Sequence, residues 1–416
     1  MATVLICVLP AKGHVGPTLP AAEALVRAGH TVRVLTGRRY LGDFAAVGAT
    51  AVPLPEESDL DDGRFPERER LRGIRLARFD LTMFVTRMGP QLAAIDAELA
   101  AHPVDVVLCD PLLMAGLPLT MRRRRPPVLV LGFLPLTVPL PGLAPSRTFA
   151  DHARALVTKA MMPLVLRPVQ ATAEREVRAL TGRAPDVLFL DWPLGSDGVL
   201  QMTCRGFEVP QGEQPMPVEF VGPLSASDTG KHRLPAWWSD VDGGAPVVLV
   251  TQGSVANNDL GDLVVPTLNA LAGRDVLAVV STGGADLPED RLPANARAAT
   301  ALPYDELLPR CALMVTNGGY GGVNHALRHG VPLVCVGATE DKSAVVARVR
   351  WSGAGIGLTR RRVSARTVGK AIDRVLGDPR YRARARALAQ EIAACPGTAG
   401  VVAAVERAAG HGRRRD

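Results

Sequence analysis

Thr3–Thr36 reads TVLICVLPAKGHVGPTLPAAEALVRAGHTVRVLT. Thr3–Leu9 is a continuous apolar run, as expected of a parallel strand buried on both faces. AKGHVGPT then reads as a glycine-containing turn, Leu19–Ala28 as an Ala-rich helix stopped by Gly29, and His30–Thr36 as a second strand. Strand, glycine loop, helix and strand open a doubly wound α/β domain. Further strands of this half are expected at Val104–Cys109, Val128–Leu131, Val187–Leu190 and Val218–Val221, with helices over much of 68–100 and 150–181.

Working outward, Gly222–Pro246 (GPLSASDTGKHRLPAWWSDVDGGAP) has no sustained periodicity and reads as a linker. Past it the pattern restarts. Val247–Thr251, Val276–Ser281, Leu313–Thr316 and Leu333–Val336 are strand candidates. Helices are expected at Asp259–Leu271, Val323–His329, Ser343–Trp351, Ala365–Leu376, Tyr381–Ala394 and Val401–Ala409. The 416 residues suit two domains of ordinary size. The expected class is α/β, with two Rossmann-like doubly wound domains facing a cleft. Residues 1–222 form the first domain, 223–246 the linker, 247–396 the second domain, and 397–416 a C-terminal helix and basic tail.

Composition removes several functions. Only five of the 48 basic residues are Lys, and the net charge of +7 is carried by Arg in short, scattered runs. In an Ala-, Gly- and Pro-rich chain this fits a GC-rich genome better than a nucleic-acid partner. With 4% aromatic residues there is little for bases to stack on. Cys7, Cys109, Cys204, Cys311, Cys335 and Cys395 show no C-x-x-C spacing, and Cys7, Cys109 and Cys335 lie in apolar runs, as expected of buried thiols in a reducing cytoplasm. The uncharged stretch Pro126–Ser146 is long enough to span a bilayer, but six prolines interrupt it. No membrane span is expected, and the N-terminus lacks the basic start of a signal peptide.

The residues that carry chemistry lie beside glycine turns. Asn317–Gly322 (NGGYGG) follows a strand and precedes a helix, where bare N–H groups suit a phosphate. It is neither a P-loop nor a G-x-G-x-x-G fingerprint. His14 follows the first strand, and an imidazole there can act as a base near neutral pH. Asp110 ends the Val104–Cys109 strand at the same sheet edge and could orient that base. Two D-x-D pairs, Asp59–Asp61 and Asp240–Asp242, sit in polar turns and match a metal-holding pair only by chance frequency. Arg64, Arg68, Arg70, Arg72, Arg75 and Arg78 crowd one segment, which reads as a solvated flap or a surface for an acidic acceptor.

Four stretches together resemble the nucleotide-sugar-dependent GT-B glycosyltransferases. These are VLPAKGHVGPTLPAAEALVRAGHTV at Val8–Val32, FVGPL at Phe220–Leu224, VTQGS at Val250–Ser254 and the long run from Ala301 to Leu358 that contains NGGYGGVNHALRHGVP. The resemblance covers nearly the whole chain, in order. It implies an inverting, metal-independent transfer from a dTDP- or UDP-sugar to a hydroxyl of a natural product such as a polyketide or macrolactone. His14 is then the general base and Asp110 its orienting carboxylate. The donor would meet Gly253, Ser254, Leu302, Asn317, Gly318, Gly319, Tyr320, Gly321, Gly322, Glu340, Asp341 and Lys342, and the acceptor Phe84, Met88 and Phe133. No cofactor beyond the nucleotide sugar is implied, and the partners are the two small molecules, with a homodimer as one option.

Three positions depart from the family pattern: Asn317 stands for His, Gly322 for Thr or Ser, and Lys342 for Gln. They leave donor identity open. Two other readings stand beside transfer. One is a nucleotide-sugar epimerase of the same fold. The other is a non-catalytic accessory protein that binds nucleotide sugars, motivated by Asn317 and Gly322.

Overall fold

An apolar run buried on both faces must be covered on both faces. Alternate residues of the first strand satisfy this in the computed structural model, which describes residues 1–59, 70–71, 73–136, 149–209, 214–224, 234–253, 259–338 and 341–412. Leu5, Cys7 and Leu9 enter one apolar cluster, while Val4, Ile6 and Val8 enter another. Each Leu or Ile fully removed from water contributes about 1.5–3 kcal/mol, so both layers hold the sheet.

The chain forms two units. The first comprises Met1–Met202, Val209–Leu224 and Cys395–Asp416; the second comprises Thr203–Glu208 and Ser225–Ala394. Among the described residues the first unit has a seven-stranded sheet. Its strands are β1 (Thr3–Cys7), β2 (Thr31–Thr36), β3 (Thr50–Pro53), β4 (Val106–Cys109), β5 (Val128–Gly132), β6 (Gly198–Gln201) and β7 (Val218–Phe220). All pair in parallel, in the order β3-β2-β1-β4-β5-β6-β7. Helices Gly73–Thr86, Met88–Ala101 and Phe149–Thr181 supply Val85, Met88, Ile95 and Val169 to one face. Helices Lys12–Arg27 and Gly397–Gly412 supply Ala21, Leu25, Val401 and Val405 to the other. The C-terminal helix is tied to this unit by Arg407 on Glu219 at 2.6 Å and by the Gly397 N–H on the Val221 carbonyl at 2.8 Å.

The second unit repeats the plan with six strands among the described residues. They are β8 (Val247–Thr251), β9 (Leu277–Ser281), β10 (Ala296–Ala299), β11 (Cys311–Thr316), β12 (Leu333–Val336) and β13 (Gly355–Leu358). They are all parallel, in the order β10-β9-β8-β11-β12-β13. The expected pair of Rossmann-like, doubly wound domains is therefore present. Among the described residues no single helix is long and apolar enough to cross a membrane.

Three local expectations differ from the structure. Val187–Leu190 is not a strand. The chain there leads into a 3-10 helix, Phe189–Gly195, whose Phe189 and Trp192 are fully buried. Pro193 lacks the N–H a central strand must donate, and the sheet resumes at Gly198. The first helix begins at Lys12 rather than Leu19, with Pro17 and Pro20 inside it. Gly13, Gly16 and the prolines argue against a helix by propensity, but buried Val15, Thr18, Ala21 and Ala22 hold it to the sheet. Finally, Thr203–Glu208 groups with the second unit. Buried Glu208 explains it: one carboxylate oxygen accepts from the Tyr320 hydroxyl at 2.9 Å, and the other accepts from Arg348 Nε at 2.6 Å. Thr203 bonds Asn324 at 2.5 Å in the same buried network.

Candidate active site

In open α/β sheets a ligand crevice forms beyond the carboxyl ends of the strands where their order reverses. In the first unit that point lies between β1 and β4. Asp110 directly follows β4 and is fully buried. Its Oδ2 accepts from the Leu9 N–H, just past β1, at 3.0 Å, and its Oδ1 accepts from the Leu112 N–H at 2.8 Å. A carboxylate held by two backbone donors keeps one geometry, and it presents Oδ2 to His14 Nδ1 at 2.7 Å. Being acceptor-only when ionised, it fixes the proton on Nδ1.

His14 lies in the first turn of the Lys12–Arg27 helix, with its N–H on the Ala11 carbonyl and its own carbonyl accepting from the Thr18 hydroxyl at 2.7 Å. Its side chain is 16% exposed. The Phe133 ring packs edge-on against the imidazole, centroids 4.9 Å apart. Of the other expected acceptor walls, Met88 is a correction. It is fully buried in the core beneath and offers no surface to a ligand. Phe84 packs partly buried on the same cluster. Arg78 donates to the Val165 carbonyl at 2.7 Å and so joins two helices. Arg64, Arg68 and Arg72 lie outside the described residues.

In the second unit the order reverses between β8 and β11. Two glycine turns meet there. Gly253, at φ +77°, follows β8, and Gly318, at φ +86°, follows β11. The Asn317 side-chain amide donates to the Gln252 carbonyl and joins them. A Cβ at Gly318 would lie 2.9 Å from Cys335 Sγ and 3.7 Å from Lys342 Cβ, so the turn is pressed against its neighbours and only glycine fits. Gly319 then starts the Tyr320–Arg328 helix without a side-chain cap. Its first-turn N–H groups are offered as such helix ends offer them to an anion. Gly321 is exposed, and a Cβ at Gly322 would stand 3.8 Å from Met314 Cε.

Other expected donor contacts scatter. The Tyr320 side chain is a correction: it turns into the interior, onto Glu208, and leaves only its backbone near the turn. Leu302 is buried. Asp341 precedes the Lys342–Ser352 helix without capping it, and Lys342 is mostly buried beside Gly318. Ser254 and Glu340 lie outside the described residues. Asp240 and Asp242 are engaged by Arg297 at 2.7 Å and Arg310 at 2.9 Å, so that D-x-D pair serves two ion pairs. Asp59 accepts from the Arg38 N–H at 2.9 Å.

Sequence reasoning missed Tyr304. Burial pushes its phenol up, offset in part by the neighbouring Ser281 and Thr251 at the ends of β9 and β8. Burial likewise pushes the Cys335 thiol, beneath Gly318, up to about 12, which leaves it protonated and inert at neutral pH.

Residues 266–407 match the family model described as erythromycin biosynthesis protein CIII-like, C-terminal domain. The chain is 38% identical over 408 residues to 4'-demethylrebeccamycin synthase of Lentzea aerocolonigenes, covering 94% of this chain and 96% of that one. It is 28% identical over 427 residues to 3-alpha-mycarosylerythronolide B desosaminyl transferase of Saccharopolyspora erythraea, covering 98% of each. Its fold matches CalG4, the calicheamicin glycosyltransferase, with a TM-score of 0.75 at 21% identity, over 99% of this chain and 98% of that one. A chain with two doubly wound units, a His–Asp pair at one switch point, two glycine turns at the other and these relatives belongs to the nucleotide-sugar-dependent GT-B glycosyltransferases, the inverting, metal-independent enzymes of antibiotic and natural-product biosynthesis.

Proposed function

We propose that this transferase moves a sugar from a dTDP- or UDP-sugar to a hydroxyl of a polyketide- or macrolactone-sized acceptor, with His14 as general base. The observation that carries it is the His14–Asp110 bond of 2.7 Å at a sheet switch point. Asp110 engages Nδ1, which leaves proton abstraction to Nε2. As the acceptor oxygen attacks the anomeric carbon from the face opposite the diphosphate, the imidazolium that forms is stabilised by the buried carboxylate. The donor is held by the second unit. The leaving diphosphate gathers charge against the N–H groups of Gly318–Gly322 and the helix end behind them, which supplies electrostatic stabilisation at the moment the bond breaks. The first unit takes the acceptor, with Phe133 as its apolar wall beside the base. Gly253, Ser254, Asn317 and Asp341 complete the donor contacts, and Lys342 pairs with Asp341, with the diphosphate or with a charged sugar.

The macrolactone class is supported by the desosaminyl transferase relative, whose name carries an erythronolide. The epimerase and accessory-protein readings are not favoured, because the relatives are transferases. The reading needs no resident cofactor and places the protein in the cytoplasm. Its test has two steps. Thermal-shift ranking of nucleoside diphosphates and their sugars identifies the donor, since a ligand bound only by the folded state raises the melting temperature by mass action. Mass spectrometry of an acceptor panel with that donor then reads the product. Donor converted to a sugar epimer without any acceptor, or no transfer to any hydroxyl acceptor, overturns the proposal.

A further inference from the structure

A cluster outside the transfer chemistry lies on the helix that carries the anion turn. His325 and His329 are four residues apart on the Tyr320–Arg328 helix and its C-cap, which sets both rings on one face. Asp305, on the short Tyr304–Leu307 helix, faces them. Its Oδ1 lies 2.6 Å from His325 Nε2 and 3.1 Å from His329 Nε2. One ligand atom from each residue falls within 4.8 Å of the other two.

We propose that Asp305, His325 and His329 bind one divalent transition-metal ion. Three convergent atoms, two imidazole nitrogens and one carboxylate oxygen, form the donor set that zinc and its first-row neighbours prefer, whereas magnesium and calcium favour all-oxygen shells. A metal about 2.0–2.2 Å from each ligand atom needs the two short contacts to open by a fraction of an ångström, which side-chain rotation supplies. The side chains of His325, His329 and Asp305 are 8%, 20% and 26% exposed. The site is thus closed at its base and open at its rim, giving an ion a way in and leaving a fourth position for water. The Tyr304 ring flanks His325, centroids 5.9 Å apart, and the two imidazoles lie 5.6 Å apart, so the ligands are held by packing before any ion arrives. The ion takes no part in sugar transfer. It clamps the helix behind Gly318–Gly322 to the 304–307 segment.

The test uses the full chain, stripped with EDTA, and reads binding rather than turnover. Titration with Co2+ is expected to produce ligand-field absorption saturating at one ion per chain, displaced by Zn2+ and not by Mg2+, with a rise in melting temperature. His329→Ala, at the rim, should weaken Co2+ binding by at least about tenfold while folding normally, and Asp305→Asn should do the same. His102→Ala, elsewhere in the chain, should leave binding unchanged. Absence of Co2+ absorption in the stripped protein overturns the proposal and leaves Asp305 as an acceptor shared by two imidazoles. Equal affinity in wild type, His329→Ala and Asp305→Asn overturns it as well.

Discussion

In the proposed mechanism polar side chains carry the chemistry at the β1–β4 switch point, whereas at the β8–β11 switch point the backbone does. The first site is a buried carboxylate with every oxygen engaged, aimed at one imidazole. The second is a pair of glycine turns and a helix end, tied by one amide. On the proposed reading a proton is taken at a defined atom, so any substitution of His14 is expected to be costly. Charge on a diphosphate is spread over several oxygens and can be met by N–H groups that any sequence supplies. On that reading Asn317 and Gly322 are expected to stand in for the family's usual residues with nucleotide binding retained.

The largest expected effect follows from this contrast. His14→Ala should lower the rate of transfer by about 10²–10⁴-fold, the usual worth of a positioned general base, while nucleotide binding measured by calorimetry stays within experimental error. Asp110→Asn should cost at least about 10²-fold through the wrong tautomer, since an amide can donate to Nδ1 where the carboxylate accepts. Full turnover by either variant would remove His14 and Asp110 from the proposed proton transfer.

Next comes the support beneath the second site. Arg348 and Glu208 are 4% and 3% exposed, and removing one member of such a buried pair costs about 3–5 kcal/mol. Glu208→Ala should therefore lower the melting temperature of the second unit and weaken nucleotide binding through Tyr320, with the His14–Asp110 pair untouched. Unchanged donor affinity in a folded Glu208→Ala protein would separate the network from the turn. Gly318→Ala acts on the turn directly. Its φ of +86° costs a Cβ-bearing residue about 1–2 kcal/mol, and the new Cβ meets Cys335 Sγ at 2.9 Å. Nucleotide affinity should fall by about tenfold, with little loss when Cys335 is also reduced to Ala if the thiol contact, rather than the backbone angle, dominates.

Much of this was legible in the sequence, for identifiable reasons. Parallel strands buried on both faces leave apolar runs, so β1, β4, β5, β8, β9, β11 and β12 could be read directly, and β2 in spite of Arg33 at its middle. His14 and Asp110 were legible as partners because each follows such a strand. What escaped depended on tertiary contacts. Packing pulls the Lys12–Arg27 helix back over glycines and prolines that propensity would exclude. Val187–Leu190 is apolar enough for a strand, but its neighbours bury aromatic rings instead. Tyr320 lies in the right loop, yet the sequence does not show which way its ring turns, because the Glu208 that draws it inward is 112 residues away.

The smallest effect is the sharpest test of backbone recognition. Gly322 lies in the first helical turn, half-buried, and a Cβ there meets only Met314 Cε at an ordinary 3.8 Å. Serine fits at that position without strain, since the angle is helical and the space is open. Its hydroxyl adds one donor to a diphosphate already held by N–H groups, worth about 0.5–1.5 kcal/mol. Gly322→Ser should tighten nucleotide binding by about two- to tenfold at unchanged melting temperature of the free protein. A gain of that size places a phosphate oxygen at the helix end. No gain in a normally folded variant would move the diphosphate toward the Gly253 turn and Lys342, and the anion site of the second unit would then rest on the neighbouring strand.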